Sequence, residues 1–128
     1  MSIIERVKAT KLPLDEVVVI GSGLLDALGL RKADDIDLVV SRELFDRLTV
    51  SGAYTQKERA GEPYLIRDDI EIWMSWGNDR KPNFDALKDA GVVIDGVTFV
   101  NKDFLISWKK QSGRDKDMSD IRLLEGVE

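Results

Sequence analysis

The sequence predicts an α+β fold in which helices pack on a mixed, hairpin-rich β-sheet. Three observations support this prediction. The short apolar runs are rich in β-branched residues, two pairs of such runs are separated by turn signals, and the helical segments do not alternate regularly with strands as in a βαβ winding. With 128 residues, 43% of them hydrophobic and 34% charged, the chain is expected to form a single domain over residues 1–128.

The first half of the chain is predicted to contain helices and two short strands. Ser2 followed by Glu5 has the spacing of a helix capping box, and Ser41 can cap a helix whose apolar residues recur on one face. The run Val-Val-Val-Ile is typical of a strand buried on both faces. The predicted elements are helix 2–9, strand 17–20, helix 24–30, strand 36–40 and helix 42–48.

The second half of the chain is predicted to contain two hairpins, a longer strand and three helices. Asp95-Gly96 between two apolar runs is a strong signal for a two-residue hairpin turn, and Gly91 is placed to end a helix. Apolar residues alternate with others along the longer strand, which indicates one buried face. The predicted elements are hairpin strands 53–59 and 63–66, strand 70–76, helix 83–90, hairpin strands 92–94 and 97–100, and helices 101–111 and 115–124.

The composition excludes several classes of chemistry, because the chain contains neither histidine nor cysteine. Disulfides, thiolate metal sites and Ser-His or Cys-His nucleophiles are therefore excluded, and zinc chemistry is disfavoured. An enzyme built from this sequence must use carboxylates, lysines, tyrosines and a hard metal ion. The net charge of −5 argues against broad, non-specific binding of nucleic acid. The sequence shows no membrane-spanning run and no secretory signal, so we expect a cytoplasmic protein.

Three carboxylates are the candidate catalytic and metal-binding residues. Asp35 and Asp37 lie two positions apart at the second predicted strand, so both side chains are expected on one face. Two carboxylates this close repel each other, and a divalent cation removes that cost. Mg²⁺ suits hard oxygen ligands, with Mn²⁺ as an alternative. A later strand supplies a third acid: Glu71 is preferred because it lies inside the strand, and Asp69, which borders a turn, stays the alternative.

The turn after the first predicted strand is the candidate phosphate site. Gly21, Ser22 and Gly23 can bring backbone N–H groups and a hydroxyl to a phosphate, and the start of the following helix adds a favourable dipole. Glycine is useful at such a turn because a phosphate must approach the backbone closely. On its own, such a turn is more often a plain connection between strand and helix, and only its combination with the acids favours a phosphate site.

Together these residues resemble the signature of the nucleotidyltransferase superfamily related to DNA polymerase beta, especially its small bacterial members. That signature is an apolar strand, Gly-Ser or Gly-Gly, about a dozen residues, then Asp-hydrophobic-Asp on the next strand and a later strand with a third acid. Gly21 and Ser22 match its first part and Asp35 and Asp37 its second, while Glu71 is the counterpart of the third acid, where many members have Asp.

The C-terminal segment adds to the resemblance. Residues 104–121 resemble the ending "Leu-Ile-x-x-Lys … Gly-Arg-x-Lys-Asp-x-x-Asp-Ile" of many such proteins, so the resemblance touches both ends of the chain. The segment also has a plain structural interpretation, in which Arg114 and Lys116 form ion pairs with acids elsewhere. The three tryptophans, Trp73, Trp76 and Trp108, are interpreted as core or edge packing rather than as a platform for a base.

The resemblance implies a nucleotidyltransferase-like fold and a metal-dependent transfer of a nucleoside monophosphate from a nucleoside triphosphate to a hydroxyl of a protein, RNA or small molecule. Ser22 and nearby amides would hold the terminal phosphates. Asp35 and Asp37 would ligate Mg²⁺, and Glu71 would ligate a second metal ion or act as the base. Three cations would offset phosphate charge: Lys109, Arg114 and Lys116.

The alternative is a binding module that keeps this fold and transfers nothing, such as a toxin–antitoxin or regulatory component. The chain is short and shows no second domain to hold an acceptor, which favours either a partner chain or this alternative. Short hairpin edges can also pair between chains, so an oligomer is a further expectation.

Overall fold

The computed structural model describes residues 2–76 and 82–126, which form helices packed around one mixed sheet. The helices are α1 (Ile3–Ala9), α2 (Gly23–Ala27), α3 (Arg42–Ser51), α4 (Phe84–Asp89), α5 (Lys102–Ser112) and α6 (Asp115–Glu125), with a turn of 3₁₀ helix at Leu14–Glu16. The strands are β1 (Val17–Ile20), β2 (Ile36–Val40), β3 (Thr55–Arg59), β4 (Glu62–Arg67), β5 (Ile70–Trp73), β6 (Val92–Ile94) and β7 (Val97–Phe99).

The sheet has seven strands in the order β3-β4-β5-β2-β1-β7-β6. The central strands β1 and β2 pair antiparallel, whereas β2 pairs with β5, and β1 with β7, in parallel. The two hairpins, β3–β4 and β6–β7, form the two ends of the sheet. The sheet therefore contains both parallel and antiparallel pairs, and β1 and β2 lie at its centre.

Burial follows the residue types along β1, β2 and β3. All of β1 is buried, as its continuous β-branched run predicts, and β2 is buried except at Asp37, which is only half-buried. At one edge, β3 (Thr-Gln-Lys-Glu-Arg) is fully exposed and rich in charge, which disfavours pairing with another chain. The polar interruption at Asp37 is thus the exception in an apolar centre.

The caps predicted from the sequence set the helix starts. Ser2 and Glu5 form the predicted capping box on α1, and the hydroxyl of Ser41 accepts a hydrogen bond from the backbone N–H of Leu44. These bonds satisfy amides that a helix leaves without partners in its first turn. The cap of α5 is Asn101, also as predicted.

The predicted α+β fold with a mixed, hairpin-rich sheet is confirmed, and three element ends were wrong by three residues. The helix predicted over 42–48 continues to Ser51. The strand predicted over 70–76 ends at Trp73, since the chain bends at Met74 and Ser75 then makes an isolated bridge to Asn83. The helix predicted over 24–30 covers only Gly23–Ala27, because Gly29 adopts a left-handed conformation with φ +72°. None of the helices in the described ranges combines the length and apolarity required to cross a bilayer.

Candidate functional site

Two carboxylates lie side by side at the centre of the sheet. In the register of the strands, Asp37 of β2 is opposite Ile20 of β1 on one side and Glu71 of β5 on the other. Side chains at the same register position of neighbouring strands point to the same face, and adjacent strands are about 4.8 Å apart. Asp37 and Glu71 therefore share one face of the sheet, where both line a cleft.

The position of Asp37 beside Glu71 changes the pKa of its carboxyl. Burial raises the pKa of its carboxyl from the usual 3.8 to about 7, and the charges of Glu71 and Asp35 add to the increase. A hydrogen bond with Glu71 acts in the same direction, whereas the positive charge of Arg59 opposes it. In the absence of a further cation, Asp37 thus holds its proton to near-neutral pH.

The glycines of the Gly-Ser-Gly turn have different roles. Gly21 has φ +65°, and a β-carbon built on it would lie 3.2 Å from Oδ2 of Asp37, so glycine keeps the backbone turn open beside that carboxylate. At Gly23, a β-carbon would lie 2.4 Å from Cγ1 of Val19, which makes this glycine a requirement of packing. The structure places only the first glycine against the acid. Since α2 has just five residues, its dipole is small.

Ser22 contacts a network of charged residues instead of capping α2. Its hydroxyl oxygen accepts hydrogen bonds from Nη2 of Arg31 at 2.8 Å and from Nζ of Lys109 at 3.4 Å. Arg31 donates two further bonds to Asp120, at 2.6 and 2.7 Å. Nζ of Lys109 lies 3.0 Å from Asp120 and 3.5 Å from Asp117. The turn after β1 is thereby tied to α5 and α6.

This network is buried, which determines its role. The side chain of Lys109 is 1% exposed and that of Asp117 is fully buried. Burial acts to raise the pKa of Asp120, but hydrogen bonds from Arg31 and Lys109 outweigh it and the pKa is lowered. Hydrogen-bonded ion pairs of this kind are costly to break, because one partner's loss leaves a buried charge. The C-terminal motif thus holds Ser22 in place through Lys109 and Asp120, and the binding of phosphate by Lys109, Arg114 and Lys116 stays a prediction.

The cleft has a volume of about 400 Å³, and its walls come from the central strands, the β3–β4 hairpin and the C-terminal part of the chain. Apart from the two acids it is lined by Ile20, Arg59, Ala60, Glu62, Trp73, Ser75, Trp76, Trp108 and Arg114. The tryptophans pack on other rings, as interpreted from the sequence: Trp73 stacks on Tyr64 at 4.4 Å, and Trp76 contacts Trp108 at 4.8 Å. All three also form part of the cleft wall.

The remaining candidate residues lie farther from the acid pair. Asp35 precedes β2 and is exposed, although its charge still acts on Asp37. Asp69 pairs with Arg6 and lines a different hollow, so Glu71 is the acid that the fold brings to Asp37. Lys116 is exposed on α6 and is not among the residues that line the cleft.

The arrangement fits a magnesium ion held jointly by protein and substrate. Over residues 2–76 and 82–126, no three carboxylates stand in a ready-formed metal cluster. Mg²⁺, however, is commonly bound by one or two carboxylates together with substrate phosphates and waters. Asp37 and Glu71 supply such a pair of hard ligands, and the open turn at Gly21 leaves space beside them.

Two arginines of this region were missed by the sequence analysis. Arg59 lies 3.5 Å from Glu71 across the hairpin, and Arg31 binds Ser22. The pairing of β3 with β4 and of β4 with β5 places β3 two strands from Glu71, and the side chain of Arg59 extends over Tyr64 and Trp73 toward the acid. Local sequence does not encode this pairing. The signal available for Arg31 is its position between the Gly-Ser turn and the Asp pair, within the segment that joins the two halves of the motif.

The mixed α+β fold of this chain is nucleotidyltransferase-like. The solved structure titled "Crystal Structure of ANT(2")-Ia in complex with adenylyl-2"-tobramycin", of an aminoglycoside nucleotidyltransferase, is similar to this chain with a TM-score of 0.56. The match covers 96% of this chain and 83% of that one at 19% sequence identity, so it shows a common fold. No protein-family model matches the sequence, and the comparison with curated proteins gives no match.

Proposed function

We propose that this protein is a metal-dependent nucleotidyltransferase, which moves a nucleoside monophosphate from a nucleoside triphosphate to a hydroxyl. The observation that carries the proposal is the pairing of Asp37 with Glu71 on adjacent strands, next to the glycine turn, in a cleft large enough for a small ligand. A half-buried, repelling acid pair is unfavourable without a cation, and a perturbed carboxyl in a cleft is typical of a functional site.

In this proposal, Asp37 and Glu71 would hold Mg²⁺ together with the triphosphate, and Asp35, two residues before Asp37, would be the third carboxylate toward the metal ion. When bound there, the metal ion would supply charge neutralisation for the phosphates. The backbone N–H groups of the turn at Gly21 and Ser22 bind phosphate oxygens. The acceptor oxygen forms a bond to the α-phosphorus while the bond to the β-phosphate oxygen breaks. Pyrophosphate leaves, and the hydroxyl proton passes to the acid pair.

The acceptor is proposed to be a small molecule, RNA or protein that carries a hydroxyl. The structural neighbour was solved with adenylyl-2"-tobramycin, which supports testing small hydroxyl compounds first. A nucleotide-binding module without transfer activity is the alternative, and it predicts the same binding without any product.

The proposal is tested by calorimetric titration of the protein with ATP, GTP, CTP and UTP, each with and without Mg²⁺. We expect binding of at least one triphosphate that requires Mg²⁺, and we expect Asp37→Asn to abolish it while the variant stays folded. Asp68→Asn is the matched control, because Asp68 lies exposed in the turn before β5 at φ +53°, a conformation that asparagine adopts readily. Absence of magnesium-dependent binding by the wild type would refute the proposal.

A further inference from the structure

Arg59 occupies an unusual position at the end of the β3–β4 hairpin. It is the last residue of β3, and its guanidinium reaches across two neighbouring strands. Tyr64 of β4 and Trp73 of β5 stack with their rings 4.4 Å apart and 11° from parallel. The guanidinium carbon lies 5.0 Å from the centre of the first ring and 5.3 Å from that of the second. The aromatic pair therefore supports the charged end of Arg59 at the cleft.

The carboxylate partner of Arg59 is one of the two central acids. Nη2 of Arg59 lies 3.5 Å from Oε1 of Glu71, a long contact for an ion pair. The side chain of Arg59 is 61% exposed and that of Glu71 is 26% exposed, so solvent screens the contact. Arg114, the other arginine on the described cleft wall, is bound bidentately to buried Asp117 at 2.7 and 3.2 Å. Of these two arginines, Arg59 has the longer contact with its carboxylate.

A metal ion and Arg59 would compete for the same carboxylate. Once a divalent cation is bound to Glu71, the guanidinium would lose this carboxylate contact and would repel the metal ion, unless an anion lies between them. A phosphate supplies that anion, and the planar guanidinium binds phosphate oxygens in a bidentate manner. Because the stacked rings restrict the side chain beforehand, little additional freedom is lost when it binds.

We propose that Arg59 binds a phosphate of the nucleoside triphosphate and leaves Glu71 for that phosphate when the metal takes the carboxylate. This inference rests on the proposed function, because it requires the acid pair to bind a metal–nucleotide complex. It assigns to the hairpin a substrate-binding role, and it places the phosphates between the Gly21 turn on one side and Arg59 on the other.

The test compares Arg59→Ala and Arg59→Lys with the wild type in two titrations, one with Mn²⁺ alone followed by its paramagnetic resonance signal and one with each magnesium nucleoside triphosphate followed by calorimetry. Arg59→Ala is expected to weaken nucleotide binding about 10- to 100-fold, the usual effect of losing a hydrogen-bonded charge. The same variant is expected to bind Mn²⁺ at least as tightly as the wild type, since a competing cation is gone. Arg59→Lys, which keeps the charge and loses the planar fork, is expected to fall between the two.

The matched control is Arg67→Ala. Arg67 also lies over an aromatic ring, that of Tyr54 at 5.9 Å, but it lines the other hollow and should affect neither titration. If Arg59→Ala weakens Mn²⁺ and nucleotide binding together, Arg59 only positions Glu71, and the inference is overturned. Unchanged nucleotide binding in Arg59→Ala overturns it as well and leaves the proposed function standing. If the wild type itself binds no magnesium nucleotide, the proposed function fails and this inference fails with it.

Discussion

Replacing Asp37 by asparagine should stabilise the metal-free protein at neutral pH. In the folded protein the pKa of Asp37 is raised from 3.8 to about 7 by burial and by its acidic neighbours. Between these two pH values the folded state keeps a proton that the unfolded chain has released. Stability contributed by this group therefore falls as the pH rises from about 4 to about 7 and is level above that. Asparagine has nearly the same shape and never ionises.

The size of the effect follows from the same two values. Each pH unit between them corresponds to about 1.4 kcal/mol, so the full difference is on the order of 4 kcal/mol. The free energy of unfolding of Asp37→Asn should thus be close to that of the wild type at pH 4. At pH 8 it should exceed that of the wild type by up to about 4 kcal/mol.

Urea unfolding of both proteins between pH 4 and pH 8, in a buffer with a chelator, measures this difference. Asp68→Asn is the matched control, because Asp68 is exposed in a turn and does not line the cleft. If the difference between Asp37→Asn and the wild type stays constant over this pH range, or if the variant is the less stable protein at pH 8, the electrostatic reasoning is wrong. In a second unfolding series, Mg²⁺ replaces the chelator. It should raise the free energy of unfolding of the wild type and leave that of Asp37→Asn unchanged, since ligand binding to the folded state adds to its stability.

Three further predictions concern the surroundings of the acid pair, and urea unfolding measures each. Lys109→Met should lower the free energy of unfolding by about 3–5 kcal/mol, because Asp117 and Asp120 lose a buried partner. The control Lys116→Met changes an exposed residue and should stay within about 0.5 kcal/mol of the wild type. Equal effects would contradict the structural role of the network. Gly21→Ala should lower the free energy of unfolding by about 1–2 kcal/mol, because alanine is strained at the positive φ of this position. The variant should also bind magnesium nucleotide more weakly, since its β-carbon would crowd Asp37. Normal binding would show that the phosphates lie elsewhere. Gly23→Ala should cost about 1–3 kcal/mol by overpacking against Val19, and a neutral result would show that β1 and α2 can separate.

Much of the fold could be predicted because local signals decide it. The capping box at Ser2 and the Asp95-Gly96 turn depend on a few consecutive residues, and both occur as predicted. The strand 70–76 was predicted too long, because its alternation of apolar residues continues past the point where the chain bends. Local pattern cannot show that Ser75 bridges Asn83 across an intervening segment.

In the candidate site, too, some residues could be predicted from the sequence and others could not. Asp37 and Glu71 could be selected from the sequence, since each lies in a strand whose period is clear, and the parallel register then brings them together. The partners of the acids could not, because Arg59 reaches Glu71 through two strand pairings. Similarly, the burial of Lys109 depends on how α5 and α6 close over the turn after β1, a contact between distant parts of the chain.

The measurement that tests the central claim most directly is transfer itself. The protein is incubated with Mg²⁺ and nucleoside triphosphates labelled in the α-phosphate, together with small hydroxyl compounds, RNA and protein as separate acceptors, and covalent label is measured beside pyrophosphate release. The proposed function predicts label on one class of acceptor with matching pyrophosphate, and the loss of both in folded Asp37→Asn and Glu71→Gln. The contradicting result is that the wild type binds magnesium nucleotide but, with every acceptor, releases no more pyrophosphate than these variants. That result would favour a binding module over a transferase.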